Sequence, residues 1–167
     1  MKYLDYAVTF SEFPNEIALC INITNCPHRC KGCHSQELWE NIGIDLTTDK
    51  LSQLINSNKG ITCVGLMGGD SDPDYINKLA KYISLNYDNI KVGWYTGEES
   101  IPKCIDLKNF DYIKTGPYIE EKGGLDNPNT NQRMYMYNKY FSDFTIDKNW
   151  RDITYKFWKN EQSPSDS

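Results

Sequence analysis

The chain has 167 residues, 39% hydrophobic and 25% charged, and its 18 Lys and Arg against 23 Asp and Glu leave a formal charge of −5. That length and apolar share suit one folded domain, and 4 Trp, 12 Tyr and 6 Phe are too heavy an aromatic load for an unpacked chain. An acidic balance without a basic block argues against nucleic-acid binding, and no run approaches the roughly 20 apolar residues of a membrane span.

Met1 to Asp5 carry one lysine and no apolar run, which predicts a cytoplasmic protein rather than a secreted one. Ile17 to Ile23, apolar and β-branched, reads as a buried strand. A cysteine-rich loop follows at once, then a helix from near Ser35 that ends before Gly43. Thr47 and Thr48 start another helix, with Leu51, Leu54 and Ile55 on one face. Ile61 to Met67 is a second buried strand, closed by Gly68-Gly69-Asp70. Pro73 opens a helix whose apolar face is Ile76, Leu79, Ala80 and Ile83. Ile90 to Thr96 is a third strand, ended by Gly97. A short helix at Ile101–Ile105 and a strand at Asp111–Lys114 continue the alternation.

About four β-loop-α units favour parallel strands with right-handed crossovers, too few to close an eight-stranded barrel. The expected fold class is therefore α/β, an open, partial β/α barrel of parallel strands. After Gly116 the text turns irregular, with Pro117, Gly123-Gly124 and Pro128. We expect a single domain over 1–160 and a frayed polar tail over 161–167.

In such sheets the loops at the carboxyl ends of the strands build the site. The cysteine loop, Gly68-Gly69-Asp70 and Thr96-Gly97 all fall at those ends. Of the 6 cysteines, Cys20, Cys63 and Cys104 are isolated, whereas Cys26, Cys30 and Cys33 form a C-x3-C-x2-C run with both histidines, His28 and His34, inside or beside it. Short spacings let one loop wrap a single iron–sulfur cube, and three thiolates would leave one iron open. Gly32 lets backbone approach closely, and Arg29 and Lys31 would offset thiolate charge. Structural zinc is the alternative, its fourth ligand drawn from His28, His34 or Cys20. Two glycines before a carboxylate suit a ligand carrying an ammonium group, although Gly-Asp pairs also mark ordinary turns. Thr96 at the end of the third strand is either a polar ligand contact or a cap.

The cysteine run followed by His34 resembles the signature of the radical S-adenosylmethionine (SAM) superfamily. That resemblance implies the superfamily's open-barrel fold and one 4Fe–4S cluster on Cys26, Cys30 and Cys33, with SAM chelated at the open iron. The backbone around Gly32, Cys33 and His34 would meet the adenine, and Gly68, Gly69 and Asp70 would take the methionyl amino group. Thr96 would be a further cofactor contact. Trp94-Tyr95-Thr96-Gly97, Lys114 to Glu120, Leu125 and Asn131-Gln132-Arg133 resemble the family of activating proteins of anaerobic ribonucleoside-triphosphate reductases. This implies an oxidoreductase that generates a glycyl radical on the large reductase subunit, supplied with electrons by a reductant such as flavodoxin or ferredoxin. A radical SAM enzyme acting on a nucleoside-like small molecule, and a non-enzymatic zinc or iron–sulfur module, are the other readings.

Overall fold

The computed structural model describes residues 1–137 and 149–158. The expected tail at 161–167 lies outside them. Strand β1 spans Lys2–Thr9, β2 Ala18–Ile23, β3 Ile44–Asp45, β4 Cys63–Met67, β5 Lys91–Tyr95, β6 Tyr112–Thr115, β7 Arg133–Tyr137 and β8 Trp150–Asp152, with helices α1 at Thr48–Ser57 and α2 at Pro73–Asn86. They form one eight-stranded sheet in the order β3-β1-β2-β4-β5-β6-β7-β8. The central strands β2, β4, β5 and β6 run parallel, and antiparallel strands flank them on both sides. The order leaves β3 and β8 as free ends, so the sheet is open, as expected.

The period-2 alternation of each central strand sorts its side chains between two cores. Leu19, Ile21, Ile23, Val64, Leu66, Val92, Trp94 and Ile113 pack with Leu51, Leu54 and Ile55 of α1 and Ile76, Leu79, Ala80 and Ile83 of α2. Both helices start on a cap the sequence supplies. Thr47 Oγ1 accepts from Lys50 N, and Asp72 accepts from Tyr75 N ahead of Pro73.

The opposite face is covered by the β1–β2 connection. Phe13 is fully buried there with Ala18, Cys20, Cys63 and Tyr112. Its ring sits over the paired residues Gly65 and Gly93; a Cβ on either would come within 2.5 Å and 2.2 Å of it, respectively. Below the ring, the buried Glu16 carboxylate accepts from Tyr112 OH (2.7 Å), from Thr62 Oγ1 (2.6 Å) and from Lys91 Nζ. This network pins the connection to the amino ends of the parallel strands.

The structure corrects three expectations. The helix expected from Ser35 is one 3-10 turn, Gln36–Trp39, and no helix forms at Ile101–Ile105. Pro102 interrupts that short apolar stretch, and a 3-10 turn follows at Leu107–Asn109. Strands β1, β3, β7 and β8 were not anticipated. In β1 only Tyr3 is buried, so the strand lacks the apolar alternation that would announce it.

Candidate functional site

The carboxyl ends of β2, β4, β5 and β6 point the same way, and each is followed by a turn that contributes polar atoms. After β2 the backbone is fastened to the 38–42 stretch: Asn25 N donates to Glu40 O and Cys26 N to Leu38 O, both at 3.0 Å. Between those anchors the chain carries the three candidate thiols. Cys26, Cys30 and Cys33 are half-buried and free. Cys33 N donates to Cys30 O, and Ser35 N lies 3.4 Å from Cys33 Sγ. Partial burial raises the Cys26 thiol, and the backbone N–H groups of His28 and Arg29 work against that rise by donating to its sulfur. Such N–H···S contacts are the means by which a protein tunes a metal–thiolate centre.

After β4 come Gly68 and Gly69, both at positive φ (+107° and +96°), a backbone that turns tightly enough to aim Asp70 back across the sheet. Gly68 O accepts from Trp94 Nε1 at 2.9 Å and Gly69 O from Asp72 N at 3.0 Å. The Asp70 side chain is only 4% exposed. It accepts from Thr96 Oγ1 at 2.5 Å, from Gly97 N at 2.8 Å and from His28 Nε2 at 2.9 Å. Thr96 Oγ1 in turn accepts from Glu98 N at 3.0 Å. Thus the cysteine loop, the Gly-Gly-Asp turn and the Thr-Gly turn meet at one carboxylate.

The His28 ring packs against Gly97, where a Cβ would approach its Cδ2 to 2.5 Å. On the other flank, Gly32 faces Glu120, and the His34 ring packs at a 48° tilt against Tyr118, 5.3 Å between centres, Tyr118 and Glu120 both lying just beyond β6. Lys114 of β6 is buried too, and its backbone O accepts from Thr96 N at 2.9 Å, which sets it beside the Asp70 cluster. Next to His34 opens a cavity of about 800 Å³, bounded by Glu12 and Asn15 of the β1–β2 connection, Tyr95, Gln132 and Lys156.

All the sequence-derived site residues therefore sit at one end of the sheet. Cys20 and Cys63 are buried in the Phe13 core and Cys104 is exposed elsewhere. Burial pushes the Cys20 thiol up to about 11 and that of Cys63 up as well, which keeps both protonated and inert. Spacing did not reveal that His28 reaches Asp70, nor that Lys114 is buried beside Thr96. Both contacts depend on which strands are neighbours.

The donor set suits a cluster better than a single ion. Among the described residues no three side chains of His, Cys, Asp or Glu are gathered closely enough to hold one metal ion. A zinc site draws its donors to within about 2.0–2.3 Å of one point, whereas a four-iron cube presents separate corners to its thiolates. His28 Nε2, moreover, is engaged by Asp70. Three free, half-buried thiols on one loop, with backbone N–H groups turned toward the sulfurs of Cys26 and Cys33, are the donor chemistry that a thiolate-ligated cluster uses.

No curated protein and no solved structure matches the chain. The family model described as a 4Fe–4S single cluster domain matches residues 17–122, a span that holds the three thiols, the Gly-Gly-Asp turn, Thr96 and Lys114. The chain belongs to that 4Fe–4S single cluster domain family.

Proposed function

We propose that Cys26, Cys30 and Cys33 ligate the 4Fe–4S cluster and that the protein is a radical SAM oxidoreductase, an activating enzyme of anaerobic ribonucleoside-triphosphate reductase. Bound there, the cluster would supply one electron for reductive cleavage of SAM to methionine and a 5′-deoxyadenosyl radical, which would take the Cα hydrogen of a glycine on the large reductase subunit. The observation that carries the reading is the convergence of three strand-end turns on Asp70. An open sheet whose four central strands are parallel, with the cysteine loop after the first of them and a Gly-Gly-Asp turn after the next, suits a radical SAM fold.

The chain's own residues do the binding and orienting. Gly32, Cys33 and His34 offer backbone and ring to the adenine, with Tyr118 steadying His34. The Gly68-Gly69 backbone and Asp70 receive the methionyl ammonium, and Thr96 holds Asp70 in place. Asp70 has an unused lone-pair direction on Oδ1, since a carboxylate accepts about four hydrogen bonds and three are made here. The partner segment closes the mouth and keeps water from the reaction. Electrons come from a flavodoxin- or ferredoxin-type reductant, in the cytoplasm. No helix of the described residues is long and apolar enough to cross a membrane.

The test is anaerobic reconstitution, reduction with dithionite, and addition of SAM. Methionine and 5′-deoxyadenosine should form, and the large reductase subunit should gain a glycyl signal in electron paramagnetic resonance. A loaded, reduced cluster that leaves SAM intact overturns the proposal. A second reading, a small nucleoside-like substrate, draws on the cavity of about 800 Å³ beside His34, a size that suits a small ligand. Cleavage of SAM without any glycyl signal would favour it.

A further inference from the structure

A buried lysine is rare unless a counter-charge accompanies it. Lys114 is 8% exposed, and among the described residues it forms no ion pair. Its Nζ donates to Gly116 O at 2.7 Å and lies 5.8 Å from the centre of the Tyr95 ring. An ammonium has three donors, so this partner set leaves it short of acceptors. By contrast Lys91, half-exposed at the other end of the sheet, has the Glu16 carboxylate. Burial lowers the Lys114 pKa to about 8, against the opposing pull of Asp70 and then of Cys30, Cys26 and Cys33. Those three thiols are the groups that become thiolates when metal is loaded.

The cations next to the cysteines in sequence are poorly placed for the same task. Arg29 is 55% exposed, bonds Glu40 at 3.1 Å and lies over Trp39. Lys31 is exposed. Water and salt screen both.

We infer that Lys114 is the resident counter-cation of the cluster: its ammonium, fixed by Gly116 O and the Tyr95 ring, balances the charge of the three thiolates and holds the one-electron potential of the cluster up. The reduced cluster carries one more negative charge than the oxidised one, so a fixed cation in a low-dielectric site stabilises it more. The electron comes from an external one-electron donor and remains on the iron, and the potential is read at pH 7, below the value of about 8 at which Lys114 would lose its proton. The inference rests on three-cysteine ligation but not on SAM chemistry.

The experiment compares reconstituted wild type with Lys114→Met and Lys114→Arg by iron and sulfide content and by redox titration with SAM omitted. With full iron and sulfide, Lys114→Met should show a tenfold loss in the reduced-to-oxidised ratio at fixed potential, about 59 mV for one electron. Lys114→Arg should stay near wild type. Equal potentials in wild type and Lys114→Met, or an equal fall in both variants, overturn the inference. Should Lys114→Met take up too little metal to titrate, Lys114→Gln, which keeps a donor for Gly116 O, is titrated in its place and should show the same fall. A potential equal to wild type in Lys114→Gln overturns the inference. Failure of ligation itself would appear separately, as Cys30→Ala retaining full iron and sulfide.

Discussion

His28 and Asp70 stand 42 positions apart, yet His28 Nε2 lies 2.9 Å from Asp70 Oδ2. This bond ties the middle of the cysteine loop to the turn after β4. Thr96 and Gly97 complete the clasp from the end of β5. Asp70→Asn should therefore lower the stability of the unloaded protein by about 2–3 kcal/mol, because a buried carboxylate with charge-assisted partners is worth more than a neutral amide. His28→Gln, which can still donate from an equivalent position, should lose less than His28→Ala. Thermal unfolding of the three variants checks the order; equal losses for Gln and Ala would show that the ring's packing on Gly97, not the bond, matters.

Alanine at Cys26, Cys30 or Cys33 should each reduce reconstituted iron and sulfide several-fold. Cys20→Ala and Cys104→Ala should load normally. Anaerobic metal and sulfide analysis separates the two groups. Cys20 is the sharper control, because it sits at the same strand as the cluster loop but faces the Phe13 core.

The Phe13 seat makes a packing prediction. Gly93→Ala places a methyl 2.2 Å from the Phe13 ring and should cost about 1–3 kcal/mol, as overpacking does. Phe13→Leu should recover part of that loss when combined with it. A double-mutant cycle by urea unfolding should therefore show a coupling energy of at least about 1 kcal/mol, since the two side chains touch.

Burial holds the Cys20 thiol at about 11, above its ordinary value of 9.0. Between those values the unfolded chain has released this proton and the folded chain keeps it, so the thiol's contribution to stability is complete below pH 9 and is lost as pH rises toward 11. Lys114, lowered to about 8 from 10.5 by burial, acts in the opposite direction, because the unfolded chain holds its proton longer. The Cys20 part is therefore read as a difference. Unfolding free energy should fall more steeply from pH 9 to 11 in wild type than in Cys20→Ala. Parallel slopes would contradict the burial argument.

Much of this protein is written locally. The runs at β2, β4 and β5 are apolar enough to be strands, and Leu51-Leu54-Ile55 and Ile76-Leu79-Ala80-Ile83 repeat at the spacing of a helix turn. The cysteine loop and the Gly-Gly-Asp turn are each contiguous in sequence, so their places at strand ends are legible from order alone. Less legible were the flanks. Neither β1 nor β7 shows a clean apolar alternation, and each becomes a strand through the backbone hydrogen bonds that β2 and β6 offer.

Composition, periodicity and cysteine spacing by themselves determined an α/β chain with a cysteine-rich loop at the carboxyl end of a parallel strand. Tertiary structure alone decided that His28 clasps Asp70, that Phe13 fills the space left by Gly65 and Gly93, and that Lys114 is buried beside Thr96. The reason is the range over which each is specified. A helix face or strand alternation is set by neighbours a few residues away, whereas these contacts exist only once β4, β5 and β6 have taken their order and register.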